Sequence, residues 1–294
     1  MEITPFPASS VILVRDTPQG GVETFLVKRH GESSFMGGLY AFPGGKVEAS
    51  DSSDELFDCV EGLSRDAAQD CLGAGEASVI AAAYWIAAIR EVFEEVGVLF
   101  ARDAAGNPLR FEDEEKQQRF ERYRGLLFTK EISFNQLLQQ EHLTLMVPQL
   151  FYYEHWITPV ARPIRYDTYF FLAEIPAGQT PSIDYHEINE GLWQRIVVAL
   201  EENTRGARPL TPPALCMLHG LQSFSSVHAI KEFCRTKRMS DPIVPLLTTI
   251  DGRETILLPA DALYTAGSGE SAMHKSTFPR PQRLVLKEGR WLPA

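Results

Sequence analysis

Short β-branched runs alternate with turn signals over the first thirty residues. "SSVILVRD" (9–16) and "VETFLVKRH" (22–30) flank "TPQGG", which predicts two strands joined as a hairpin. "GGLYAFPGGKVEASD" (37–51) follows. Its paired glycines and its proline mark a short strand entering a tight loop where backbone approaches something closely. Residues 52–76 are acidic, polar and glycine-containing and are expected to form an exposed excursion. From Ala77 to Val96 the pattern is helical, with Gly97 placed to end the helix. Residues 112–145 predict two helices, "LFYYEHWITPV" and "YDTYFFLAEIP" two strands, and 186–203 a turn running into a helix. Pro209, Pro212 and Pro213 mark a boundary. Past it lie a helix near 214–237, a hairpin turning at Asp251-Gly252, and a polar stretch, 264–281, expected to be a mobile linker. There is no internal repeat.

Within the long helix, "REVFEEVGV" (90–98) sets three carboxylates within five positions. At about 100° per residue, Glu91, Glu94 and Glu95 share one arc, while Ile89, Val92, Phe93 and Val96 form the apolar stripe behind them. A solvated helix face is one reading of such a cluster. Glu91 and Glu95 are like charges four apart, each such pair costing roughly 0.2–0.5 kcal/mol, and within the segment Arg90 alone offers relief. A hard divalent cation would remove the conflict. Oxygen-only donors with neither His nor Cys nearby favour Mg²⁺ or Mn²⁺ over zinc.

Composition narrows the partners. The chain has 294 residues and a net charge of −11, which argues against a general nucleic-acid-binding surface and leaves an anionic substrate dependent on a metal or a focused basic pocket. Cys59, Cys71, Cys216 and Cys234 lack C-x-x-C spacing and are read as free thiols. The opening residues lack a secretory pattern, and the longest apolar run, "VIAAAYWIAAI", is 11 residues against the roughly 20 that cross a bilayer. No membrane association is expected, and a cytoplasmic location follows by default.

"GGKVEASD … REVFEEVGV" resembles the Nudix box, in which a glycine, five residues, a glutamate and seven residues precede R-E-U-x-E-E-x-G-U, U being aliphatic. Arg90 to Val98 match every specified position. With Gly45 as the opening glycine, Asp51 stands in place of the glutamate. The family spacing then puts the arginine at 59; it stands at 90, so 31 extra residues divide the box. The branch of animal peroxisomal coenzyme A diphosphatases called Nudix motif nineteen has a box divided in the same way. "HWITP", "RYDTYFFL" and "LLP-x-D-x-LY" extend the likeness over roughly Ser9 to Tyr264. The coenzyme A signature of better-known relatives is matched at 25–29 and 38–45, but Ser34 replaces its second arginine.

The resemblance implies an α/β fold, the Nudix α/β/α sandwich with a mixed β-sheet over residues 5–205, interrupted by the insertion at about 52–89, plus a C-terminal α+β extension over 206–294. It implies a metal-dependent pyrophosphohydrolase cleaving a nucleoside diphosphate linked to another moiety. Coenzyme A or acyl-coenzyme A is the first expectation. ADP-ribose, other nucleotide derivatives or capped RNA, and a non-catalytic nucleotide-binding protein, are the alternatives. Glu91, Glu94 and Glu95 would hold Mg²⁺ or Mn²⁺. Glu91 and Glu95 would carry the chemistry, with Arg90 ion-paired inside the box. Gly44 and Gly45 would bring backbone to the site. Arg29, Arg162 and Arg165 are each a phosphate contact or a structural salt bridge. Glu187 and Glu190 are each a possible base or a solvated turn residue. Tyr166, Phe170 and Phe171 would stack on a base or, as their alternation favours, fill the core. His30, His155 and His186 are isolated and receive no role. Family members often form homodimers, which is the expectation for assembly.

Overall fold

The computed structural model describes residues 3–29, 37–72, 78–183, 188–237, 241–264 and 279–294. Its elements run β1 (Phe6–Asp16), β2 (Val22–Arg29), β3 (Tyr40–Ala41), β4 (Gly44–Lys46), α1 (Asp54–Phe57), β5 (Val60–Glu61), α2 (Arg65–Leu72), α3 (Ser78–Val96) and β6 (Ala101–Arg102). They continue α4 (Glu114–Phe128), α5 (Phe134–Gln140), β7 (Thr144–Met146), β8 (Phe151–Ile157), β9 (Tyr166–Glu174), β10 (Ile188–Arg195), α6 (Ile196–Arg205), α7 (Pro212–Leu221) and α8 (Val227–Thr236). The chain closes with β11 (Leu246–Ile250), β12 (Arg253–Leu257), β13 (Arg283–Lys287) and β14 (Arg290–Pro293).

The main sheet is mixed, in the order β10-β2-β1-β9-β8, with β1 and β9 parallel and the other neighbours antiparallel. Central β1 is buried on both faces, which is why its sequence is a continuous apolar run. Val11 and Leu13 join a core with α3, α4 and α5; Ile12 and Val14 join the opposite core with α6, α7 and α8. Helix α3 lies deepest. Ala81 to Ile89 are all buried, so its alanines admit close packing all round, and only its last two turns present charge.

Three expectations are corrected. Residues 52–72 are exposed or half-buried at most positions but are not a free excursion: Leu56, Ala68 and Leu72 are buried, and β5 pairs with β7 in a small sheet. Residues 188–195 form an edge strand on β2 where a turn was expected, because charged and glycine-containing residues suit a strand with one unpaired side. The helix near 214–237 is two helices, broken at 222–226.

The segment after residue 205 is built into the main fold. Helices α7 and α8 supply the layer covering one sheet face. Buried Asn203 accepts from Leu210 N at 2.9 Å and donates to Trp291 O at 2.9 Å, tying α6 to the chain's last strand. The expected hairpin at Asp251-Gly252 is β11–β12, part of a four-stranded antiparallel sheet. Most of the stretch expected to be a linker, 265–278, lies outside the described residues. No helix among the described residues is long and apolar enough to cross a membrane.

Candidate active site

Strand β4 runs antiparallel to the start of β1, with Ser10 opposite Gly44 and Ser9 opposite Gly45. Both glycines are demanded by what lies behind them. Gly44 has φ +151°, and a Cβ there would stand 2.6 Å from Ser10 Cα. A Cβ on Gly45 would stand 2.5 Å from the Glu91 carboxylate, so the bare backbone is what admits that side chain. Gly44 N donates to Glu95 Oε2 at 2.8 Å. The two glycines thus seat two of the three box carboxylates.

Arg90 organises the rest. It is buried, and its Nε and Nη2 make a two-pronged pair with Asp51, each at 2.9 Å. Its Nη2 also reaches Lys46 O at 2.8 Å, while Nη1 donates to Glu91 Oε1 at 2.9 Å and Glu94 Oε2 at 3.1 Å. Asp51 is fully buried and also accepts from Glu48 N at 2.8 Å. The box aspartate therefore anchors the arginine and does not face the cleft. Its shorter side chain suffices because a 3₁₀ turn at Ala49–Ser52 brings its backbone close.

Burial pushes the Glu91 carboxyl up to about 7, against the opposing pull of Arg90, and raises Glu94 for the same reason. At the helix end, Gly97 takes φ +69°. Arg124 from α4 donates to the last carbonyls, Glu94 O at 3.1 Å and Glu95 O at 3.1 Å, where a cation complements the helix dipole.

These groups line one cleft of about 1110 Å³. Glu91, Glu94, Glu95 and Glu48 lie on it, with Gly44, Gly45 and Lys46 beside them. One flank is Leu127 to Gln136, from the end of α4 into α5. The other is Trp156, Tyr166, Phe170, Pro212, Pro213 and Ile256, from the sheet edge and the C-terminal segment. Among the described residues, no three carboxylate, imidazole or thiol groups converge on one point, because Arg90 Nη1 sits between Glu91 and Glu94. The donors nonetheless suit a hard divalent cation: they are carboxylate oxygens on one cleft wall, two of them seated by backbone that no side chain obstructs.

Among the residues expected at the site, Gly44, Gly45, Arg90, Glu91, Glu94, Glu95 and Arg162 line the cleft. Arg162 is ion-paired with Glu254 on β12. Arg165 is structural: buried, it donates to Thr158 O at 3.0 Å and Ile3 O at 2.7 Å, holding the N-terminal segment against β9. Of the two readings of Glu190, possible base or solvated turn residue, the structure shows neither: it lies on strand β10, outside the cleft lining, accepting from Tyr40 Oη at 2.7 Å with Arg208 at 3.9 Å. Tyr166 and Phe170 line the cleft, whereas Phe171 is core, against Trp85. His155 is paired with Asp167 and stacked on Tyr169 at 3.9 Å. The Arg29 side chain, Glu187, His30, His186 and Ser34 lie outside what the structure describes. Glu48 escaped notice in the sequence; its signal is the spacing of a capping box with Asp51, which the structure realises. Beyond its local i,i+3 pair with Glu121, Arg124 had no signal for the site, since its contacts there are backbone carbonyls of another helix.

Residues 7–221 match the family model of the NUDT19 Nudix domain. The acyl-coenzyme A diphosphatase NUDT19 of Gallus gallus is 28% identical over 91% of this chain and 80% of its own length. The Homo sapiens protein of that name is 27% identical over 94% and 81%. A solved structure of a NUDIX hydrolase from Alicyclobacillus acidocaldarius shares the fold, with a TM-score of 0.63 over 78% of this chain and 96% of that one, at 23% identity. With the family match spanning most of its length and the box carboxylates gathered on one cleft, the chain belongs to the NUDT19 Nudix domain family, a branch of the Nudix hydrolases, which cleave phosphorus-containing anhydrides.

Proposed function

We propose that the protein is a divalent-metal-dependent pyrophosphohydrolase that splits coenzyme A or acyl-coenzyme A into 3′,5′-ADP and 4′-phosphopantetheine or its acylated form. The carrying observation is the placement of Glu91, Glu94 and Glu95 between the two flanks of one large cleft. Its volume, about 1110 Å³, is at the upper end of ligand pockets and suits a long substrate cut near its middle. The names of the NUDT19 relatives support the same substrate.

Glu91, Glu94 and Glu95 are the residues that would hold Mg²⁺ or Mn²⁺, and the ion, when bound, neutralises the phosphate oxygens against an incoming water. Arg90 fixes the orientation of Glu91 and Glu94. Glu91, poised near neutrality, is suited to accept a proton from the attacking water. Gly44 and Gly45 keep β4 close enough to admit the phosphates beside these carboxylates.

The test is a substrate panel with Mg²⁺ or Mn²⁺ and chromatographic identification of products. Release of 3′,5′-ADP from coenzyme A or its acyl esters is expected. Turnover of ADP-ribose or capped RNA with coenzyme A untouched would replace the substrate, and no turnover of any compound would leave a nucleotide-binding protein.

Metal and pH are coupled through Glu91. Its carboxyl titrates near 7 in the folded protein against 4.5 ordinarily, so between those values the folded state binds the proton more tightly than the unfolded chain. In chelator, the stability Glu91 contributes is present below pH 4.5 and is lost as pH rises through 7. A cation needs the deprotonated form, so its effect runs the other way. Millimolar Mg²⁺ is expected to raise Tm by about 5 °C at pH 8 and by less than about 1 °C at pH 5.5, read by thermal melting.

A further inference from the structure

Among the described residues, the five cations lining the cleft differ in how they are engaged. Arg90 is held by Asp51, Glu91 and Glu94. Arg124 is held by Glu121 and by the end of α3. Arg162 pairs with Glu254, and Lys46 Nζ sits 4.4 Å from the Phe6 ring centroid. Lys130 differs: among the described residues its ammonium has no ion pair, hydrogen bond or ring contact. In a chain of net charge −11, an uncommitted cation on the cleft that holds the box carboxylates is an anion contact waiting for its ligand.

Its backbone adds a second observation. Lys130 has φ +57°, a left-handed conformation just past the end of α4, closed by its N–H to Leu127 O at 2.9 Å. Glycine takes that position without strain, whereas a lysine does not. Lys130, an exposed residue, lines the cleft two residues from Phe128, a half-exposed ring on the same lining. An aromatic face beside a free ammonium suits a phosphorylated nucleoside. The neighbouring Glu131 carboxylate is turned to the Thr129 hydroxyl at 2.8 Å. On the opposite flank, among the described residues, Trp156, Phe170, Pro212, Pro213 and Ile256 stand beside Thr158, Tyr166, Thr168 and Thr211, and Arg162 there is paired with Glu254.

We propose, resting on the coenzyme A reading above, that Lys130 binds the 3′-phosphate of the substrate. The phosphorylated adenosine then lies along the α4–α5 flank and the acyl-pantetheine arm along the flank of Trp156, Phe170 and Ile256. Lys130 is a selectivity residue, apart from the carboxylates that carry the reaction.

The test measures kcat/KM for coenzyme A, 3′-dephospho-coenzyme A, acetyl-coenzyme A and a long-chain acyl-coenzyme A in wild type, Lys130→Gln and Lys130→Gly. Wild type is expected to prefer the 3′-phosphorylated substrate. Both variants lose about tenfold of that preference through KM, with 3′-dephospho-coenzyme A cleaved as before and the acetyl to long-chain ratio unchanged. Lys130→Gly should melt no lower than wild type, since it removes the left-handed strain. A lysine serving only the α4 dipole would instead lower Tm on substitution and leave the preference intact, which overturns the proposal. So does a shift in the acetyl to long-chain ratio with the 3′-phosphate preference unmoved. Wild type that cleaves no member of the series sinks the coenzyme A reading, and this inference with it; cleavage with unaltered preference sinks this inference alone.

Discussion

Glu95→Gln is expected to lower kcat about a thousandfold, because losing one carboxylate of the cation site forfeits roughly 4 kcal/mol of transition-state stabilisation. The fold should survive. Glu95 is buried and accepts from Gly44 N at 2.8 Å, and a glutamine oxygen can accept the same bond in the same volume. Tm without added metal is therefore expected within about 2 °C of wild type, while the Mg²⁺-dependent rise in Tm disappears. Glu94→Gln serves as the graded control. Its carboxylate is 31% exposed and shares Arg90 with Glu91, so it is the least enclosed of the three and should cost less. Steady-state kinetics at saturating Mg²⁺, paired with melting in chelator and in Mg²⁺, separates loss of a ligand from loss of the fold. Activity within tenfold of wild type in Glu95→Gln would remove the box carboxylates from the mechanism.

Legibility in the sequence followed the range of the forces involved. The REVFEEVGV helix was readable because its apolar stripe, its carboxylate arc and the glycine that ends it are all local, and α3 ends at Val96 with Gly97 left-handed. The pairing of Gly44-Gly45 with that helix came only from the resemblance, and the Cβ clash with Glu91 is its physical basis. What stayed hidden depends on partners far along the chain. Polarity made residues 52–72 look like surface, yet three apolar positions at wide spacing anchor them to α3. An arginine's chemistry is the same whether it meets phosphate or carbonyl, so nothing local marked Arg165 as the clamp on Ile3. Glu190 shows the same limit: its nearest partners, Tyr40 and Arg208, lie on another strand and past α6. That α7 and α8 of the C-terminal extension cover the sheet was not legible, because no local pattern announces it.

The second large effect concerns stability. Asp51→Ala should destabilise the protein by about 3 kcal/mol, at the low end for breaking a buried ion pair, because Arg90 keeps Glu91, Glu94 and Lys46 O as partners. For a chain of this size that is a fall in Tm of roughly 6–12 °C, measured in chelator. One further loss points the same way: Glu48 N gives up its acceptor, the bond that forms half of the capping box of the 3₁₀ turn. Activity should fall as well, by a different route from Glu95→Gln. A guanidinium released from Asp51 draws more strongly on the two carboxylates it already touches, so a cation must compete for Glu91 and Glu94 and a higher Mg²⁺ concentration is needed for half-maximal rate. A metal-ligand role for Asp51 predicts the reverse pattern, with Tm in chelator unchanged and only the Mg²⁺-dependent rise lost. The buried two-pronged geometry, each contact at 2.9 Å, puts the effect in the protein melted without metal.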